Sequence, residues 1–140
     1  MRRLLPLNPN VGLLILRLVL GIIMIVHGYP KLVGFGGTAG YFASAGIPLP
    51  TLAAAFATVV EVVGGLLMIL GVAADIAGLL FAIDMLGAMM FVHIENGFSI
   101  QNGGIEFPLA LMAMALTIAF AGPGTLVLGQ RTHADARLDR

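Results

Sequence analysis

Residues 11–29 of the chain read VGLLILRLVLGIIMIVHGY, an apolar run in which Arg17 is the only residue with a formal charge. About 20 apolar residues in a helix, at about 1.5 Å per residue, cross the hydrocarbon core of a bilayer. The run is long for a secretory signal and has no small-residue cleavage site before Pro30. It therefore predicts a retained transmembrane helix, which we expect to stop at Pro30 because proline removes a backbone hydrogen bond.

Three more apolar runs follow the first one. They cover residues 51–72, 76–93 and 105–121, and Gly122-Pro123-Gly124 ends the last. With 59% hydrophobic and only 10% charged residues, and a mean hydropathy of +1.04, the chain is too apolar for a soluble domain. The pattern predicts an all-α membrane protein, a bundle of four transmembrane helices in which a short turn around Asp75 joins the second and third.

The segments between and beyond these runs complete the predicted organisation. Residues 38–45, inside a segment rich in glycine and bounded by proline, predict a short interfacial or re-entrant helix between helices 1 and 2. Residues 95–104 predict a loop. We expect a cytoplasmic N-terminus at 1–10, a transmembrane domain at 11–124 and a cytoplasmic polar tail at 125–140. Arginines concentrated at both termini favour that orientation.

Composition also excludes classes of function. The net charge is +0 and no basic stripe carries aromatic residues, so nucleic acid is not an expected partner. The chain has no cysteine, which excludes disulfides and thiol redox relays. At 140 residues, the spans use nearly the whole length. Any chemistry must therefore lie in the bundle or at its ends.

Arg17, Glu61 and Asp84 lie well inside predicted spans one, two and three. An ionisable side chain at such depth costs about 2.5 to 3.5 kcal/mol on insertion scales, so these residues are expected to face one another as a buried ionic network. Two carboxylates in such a network would tend to share a proton. The alternative is an ion-pair network that only fixes the helices in register. Small residues on the same face as Glu61 would let helices approach: Ala57, Thr58, Gly64 and Gly65.

A second polar set is predicted at the outer mouth of the bundle. Histidine there could relay protons, donate a hydrogen bond to a quinone carbonyl, or bind a metal or haem. The spacing matches no metal motif, so we predict no metal site. The alternative is that these groups snorkel to the interface or cap helix ends. The predicted ligand-binding cluster is His27, Lys31, His93, Glu95, Asn102 and Glu106.

From about Leu14 to Gly124 the chain resembles the DoxX family of small bacterial membrane proteins. The elements that carry the resemblance are Leu16-Arg17-Leu18, His27-Gly28 with Lys31, Tyr41-Phe42 ahead of Gly46-Ile47-Pro48, Glu61 with Gly64-Gly65, His93 before Asn96-Gly97-Phe98, and Gly103-Gly104 with Glu106. The resemblance implies a four-helix protein of the bacterial inner membrane. Because the family takes its name from a subunit of a thiosulfate:quinone oxidoreductase, it also implies a link to quinones.

These observations favour an accessory or quinone-interacting subunit of a membrane redox system, at most one subunit of a quinone-linked oxidoreductase. No haem or flavin motif is present, so no intrinsic cofactor is predicted and quinone is the candidate ligand. Expected partners are the lipid bilayer, other membrane or redox subunits, and further copies of the chain. Two alternatives stay open: a small proton-coupled transporter or channel, and a purely structural subunit of a larger membrane complex.

Overall fold

The computed structural model describes residues 8–128, which contain helices and no strand. In chain order the α-helices are α1 (Pro9–Val33), α2 (Phe35–Ser44), α3 (Pro50–Leu70), α4 (Ala74–Ala88) and α5 (Glu106–Ala121). A π-helical turn, Met89–His93, continues α4, and two short 3₁₀ turns, Ile94–Asn96 and Ile100–Asn102, occupy the loop that leads to α5. The prediction of an all-helical fold is confirmed.

Within residues 8–128, three helical segments are long and apolar enough to cross a membrane: α1, α3, and α4 with the turns that extend it to Asn96. With 16 residues, α5 is about 24 Å long at about 1.5 Å per residue, shorter than a hydrocarbon core of about 30 Å. Large apolar side chains are exposed around the bundle, among them Ile15 and Phe120. Because such a surface is stable only against lipid, the exterior is that of a membrane protein.

The first helix does not stop at Pro30, so that prediction is wrong. It continues to Val33, and the carbonyl of Pro30 still accepts a hydrogen bond from the Gly34 N–H at 2.9 Å. Proline removes only its own N–H, and the last turn of a helix tolerates this loss better than its middle. As a consequence Lys31, which we expected beyond the span, lies on α1.

Small residues allow the helices to approach closely. A β-carbon added at Gly21 of α1 would lie 2.8 Å from the carbonyl oxygen of Gly65 on α3, and one at Gly78 of α4 would lie 2.7 Å from the carbonyl oxygen of Ala115 on α5. Packing between membrane helices relies on such close backbone approach, because lipid supplies no hydrophobic driving force between them. These contacts bring α1 against α3 and α4 against α5, while α3 packs on α4.

The bundle has two distinct ends. The turn end holds the α3–α4 turn, residues 71–73, and the loop end holds residues 94–105. At the turn end, the Thr125 N–H donates to the Asn10 side chain at 3.0 Å, and the Leu128 N–H donates to the Leu70 carbonyl at 3.0 Å. The start of α1 and the segment after α5 therefore meet at the turn end. Asp75, expected in the turn itself, lies in the first turn of α4.

Candidate ligand-binding site

Lys31 and Glu61 form an ion pair between α1 and α3, with 2.5 Å between Nζ and Oε2. Side chains of a helix tilt toward its N-terminus, so Lys31 extends back along α1 to the level of Glu61. Gly28 makes room there, because a β-carbon on it would lie only 2.7 Å from that of Glu61. The Glu61 side chain is 4% exposed and that of Lys31 24%, so the pair is largely shielded from the surroundings.

Asp84 of α4 completes a charged cluster with this pair. Its side chain lines the same cavity as those of Lys31 and Glu61. One oxygen, Oδ2, is buried and has no hydrogen-bond partner among residues 8–128. Three charged side chains from three helices, Lys31, Glu61 and Asp84, therefore converge in the half of the bundle nearer the loop end.

A cavity of about 440 Å³ opens beside this charged cluster, between α2, α3 and α4. Its volume falls in the range of about 300 to 1,000 Å³ that is usual for small-molecule sites. The walls are mostly apolar and aromatic, with a few convergent polar groups, which is the composition expected of a ligand pocket. The aromatic side chains that line it are Tyr41, Phe42, Phe56 and Phe91.

A smaller cavity of about 220 Å³ lies on the other side of the ion pair, lined by residues of α1, α3, α4, α5 and the loop end. Lys31, Glu61 and His93 line both cavities. Asp84 lines only the larger one, and His27 only the smaller. The polar groups therefore stand where the two cavities adjoin.

His93 is held by the loop that follows it. Its Nδ1 lies 2.6 Å from the Gly103 carbonyl oxygen. Since a carbonyl can only accept, Nδ1 carries the proton and donates. In a regular helix at about 100° per residue, the nine residues from Asp84 would place His93 on the opposite face. The π-helical turn Met89–His93 has more residues per turn than an α-helix, so it changes the direction in which His93 points. As a result, both side chains line the larger cavity.

The other predicted members of the outer cluster lie outside this arrangement or at its edge. His27 is exposed, and its ring centroid lies 6.1 Å from that of Phe107. The Glu106 carboxylate accepts the Ile100 N–H at 2.8 Å and so closes the loop. Glu95, Asn102 and Glu106 are exposed and line neither cavity. Of the six, the structure thus brings Lys31 and His93 together at the larger cavity, and His27 lines only the smaller one.

Arg17 does not join Glu61 and Asp84 as predicted. Its side chain is fully buried at the turn end, where Nη2 donates to the Leu126 carbonyl and Nη1 lies against Gly71. Nε and Nη1 have no hydrogen-bond partner among residues 8–128. The physical reason is distance along α1: Gly28 is level with Glu61, and Arg17 lies 11 residues, about 16 Å, from Gly28. The tilt of helical side chains toward the N-terminus directs Arg17 still further from Glu61. The cation that Glu61 binds is Lys31 instead.

Sequence reasoning missed the aromatic wall of the cavity and the position of Lys31 within the charged cluster. Tyr41 and Phe42, inside the segment predicted to be interfacial or re-entrant, line this pocket. A continuous α1 through Pro30 would have placed Lys31 one turn above Gly28, and the tilt of its side chain would then have indicated Glu61. Within residues 8–128, no group of three or more histidine or acidic side chains is placed to hold a metal ion.

Comparison with known proteins agrees with a membrane bundle of this kind. The chain is 36% identical over 119 residues to "Putative oxidoreductase CatD" of Bacillus subtilis (strain 168), covering 85% of each protein. It is 36% identical over 124 residues to "Inner membrane protein YphA" of Escherichia coli (strain K12), covering 85% of this chain and 89% of the relative. No solved structure matches it significantly. Residues 12–94, more than half of the 140, match the DoxX family, and the protein therefore belongs to that family.

Proposed function

We propose that the protein is an accessory subunit of a bacterial membrane redox system and binds a quinone in the larger cavity. The observation that carries the proposal is the cavity of about 440 Å³ in which aromatic walls meet Lys31, Glu61, Asp84 and His93. A quinone ring is flat and apolar with oxygen atoms at its edge, so it suits aromatic walls with polar groups at one side. The word oxidoreductase in the name of the Bacillus subtilis relative is consistent with such a role.

The chain's own residues would bind the ring and handle protons. The Lys31 ammonium can donate a hydrogen bond to a quinone oxygen, and Glu61 and Asp84 can share and deliver a proton within their cluster. Reduction of a quinone needs two electrons and two protons. A partner protein would supply the electrons, because the chain carries no haem or flavin motif.

The membrane topology is part of the same proposal. With α5 as the fourth span and α2 at the interface, both termini lie on the cytoplasmic side of the inner membrane, as the terminal arginines favour. The contact between Thr125 and Asn10 supports an even number of crossings. The chain has no cysteine, so single cysteines introduced at Gly12 and Gln101 can be labelled without background. A thiol reagent that does not cross the membrane is applied to intact and to permeabilised cells. We expect opposite accessibility for the two positions.

Binding can be tested by filling the cavity. Gly87 lines it, and a β-carbon there would meet nothing within 4 Å, so Gly87→Phe should occupy the space without disturbing the helices. Gly12 is equally unobstructed and lies at the turn end, which makes Gly12→Phe the matched control. In lipid nanodiscs, decylubiquinone should bind the wild type and Gly12→Phe but not Gly87→Phe. Equal binding by all three proteins, or by none, would contradict the proposal.

A second candidate is proton-coupled transport, favoured by the two cavities that adjoin at Lys31 and Glu61. In liposomes, proton flux that is lost in Glu61→Gln would support this candidate over quinone binding. A purely structural role predicts instead that neither Glu61→Gln nor Gly87→Phe changes any activity of the assembled complex.

A further inference from the structure

On the basis of the proposed quinone binding, we infer that the larger cavity holds the reduced ligand, a hydroquinone, more tightly than the oxidised quinone, and that His93 makes this distinction. Both forms have the same ring and nearly the same shape. They differ in hydrogen bonding, since a hydroquinone has two O–H donors and a quinone has only acceptor oxygens. The preference therefore depends on which hydrogen-bonding groups the site leaves free.

The free group on His93 is an acceptor. A neutral imidazole has one N–H, and here Nδ1 uses it to donate to the Gly103 carbonyl. The other nitrogen, Nε2, then carries a lone pair. Within residues 8–128 Nε2 makes no hydrogen bond, and it is not sealed in the interior as the unpartnered Asp84 oxygen is. Because His93 lines the larger cavity as well as the smaller one, Nε2 can accept a hydrogen bond from a ligand in the larger cavity.

The backbone fixes this tautomer. Gly103 has φ +75°, a left-handed conformation that glycine adopts readily, and it presents its carbonyl to His93. The Asn96 side chain donates to the same carbonyl oxygen at 3.3 Å. The π-helical turn supplies the rotation that lines up His93 with Asp84 on the cavity. A carbonyl cannot donate, so neutral His93 has no alternative hydrogen-bonding state in this position.

The remaining polar groups do not reverse the balance. Lys31 has three N–H donors, of which one goes to Glu61 and one, at 3.3 Å, to the His27 carbonyl, so one is free. Asp84 Oδ2 has no hydrogen-bond partner within residues 8–128, but it is buried and out of a ligand's reach. The site therefore offers one free donor, on Lys31, and one free acceptor, Nε2 of His93.

A hydroquinone matches these groups, because one O–H can donate to His93 while an oxygen accepts from Lys31. A quinone would satisfy Lys31 but leave Nε2 of His93 unpaired in a shielded site. An unmade hydrogen bond in a shielded site lowers the affinity of the ligand that cannot form it. We expect at least a tenfold difference in affinity, which corresponds to about 1.4 kcal/mol.

The test is anaerobic titration of the protein in nanodiscs with decylbenzohydroquinone, decylbenzoquinone and the dimethyl ether of the hydroquinone. We expect the hydroquinone to bind at least tenfold more tightly than the other two. In His93→Phe the hydroquinone and the quinone should bind within about twofold of each other. His27→Phe is the control, because His27 lines only the smaller cavity and should leave the preference intact.

A spectroscopic readout covers the case in which His93→Phe fails to fold. In wild-type protein labelled with ¹⁵N-histidine, Nε2 of His93 should resonate as an unprotonated nitrogen and shift toward a hydrogen-bonded acceptor on addition of hydroquinone but not of quinone. Equal affinities, or an Nε2 that is already protonated at neutral pH, would overturn the inference and leave quinone binding in place. If neither form binds, the proposed function itself fails.

Discussion

Both ends of the bundle place a cation of α1 among apolar helices, but they stabilise it differently. At the loop end, Lys31 pairs with Glu61, and cavities lie on either side of the pair. At the turn end, Arg17 is fully buried, donates to the Leu126 carbonyl and packs against Gly71. The first arrangement leaves hydrogen-bonding groups beside open volume, where a ligand could reach them. The second has backbone packed around the charge.

The difference indicates which charge is structural and which belongs to a site. A buried arginine held by a backbone carbonyl joins α1 to the segment after α5, and this contact closes the bundle. The Glu61 and Asp84 side chains instead line a cavity of about 440 Å³, so they stand beside space that a ligand can occupy. Arg17 and the charged cluster both lie at depth in the membrane, so depth alone does not show which of them is structural. Their surroundings distinguish them.

The largest effect is expected at the turn end. Gly71 has φ +76°, and a β-carbon there would overlap Arg17 Nη1 and Val127. Gly71→Ala therefore adds left-handed strain and overpacking, together about 3 kcal/mol of unfolding free energy. Reversible unfolding in mixed micelles, followed by circular dichroism, measures this loss. Gly12→Ala, where a β-carbon meets nothing, is the control, and equal stability of the two variants would contradict tight packing at Arg17.

The ion pair at the loop end should be coupled but less costly to break. Because the Lys31 side chain is partly exposed, we expect Lys31→Met or Glu61→Leu to lower the unfolding free energy by about 2 kcal/mol, below the usual cost for a fully buried pair. The double variant should lose less than the sum of the single losses, with a coupling of about 1 kcal/mol. Strictly additive losses would mean that the contact contributes nothing to stability.

Arg17→Met separates local from global stability. It removes the hydrogen bond to Leu126, worth about 1.5 kcal/mol for a charged donor, but also removes a desolvated charge. We therefore expect hydrogen exchange at the Leu128 amide to quicken by about tenfold while the global unfolding free energy changes less. Quinone binding should not change, because Gly28, level with Glu61, is 11 residues and about 16 Å from Arg17. A loss of binding would show that the two ends are coupled.

The smallest effect is expected for the exposed acids of the loop end. Glu106→Ala removes the acceptor of the Ile100 N–H and should cost about 0.5 to 1 kcal/mol, as loss of a cap does. Glu95→Ala should be neutral in stability. Neither should alter quinone affinity, since neither residue lines a cavity. A change in quinone affinity above about threefold in either variant would show that the substituted residue contributes to binding.

Much of the fold follows from the chain itself. The apolar runs predicted the long helices. The Gly- and Pro-bounded segment predicted a short helix at 38–45, which overlaps α2. The small residues around Glu61 predicted close contact between helices. Residue-level boundaries were less accurate at Pro30, because a helix end can absorb one missing hydrogen bond and the sequence does not show which residues satisfy the others. The terminal segments predicted at 1–10 and 125–140 lie largely outside the described residues, and their cytoplasmic location stays a prediction.

The sequence by itself determined that Arg17, Glu61 and Asp84 must face inward, because lipid makes the alternative too costly. The tertiary structure decided their partners. The tilt of side chains along α1 sends Arg17 to the turn end and Lys31 to Glu61, and a π-helical turn brings His93 round to the cavity. Such choices depend on helix rotation and on atoms distant in sequence, such as the Leu126 and Gly103 carbonyls, which no local pattern of residues specifies.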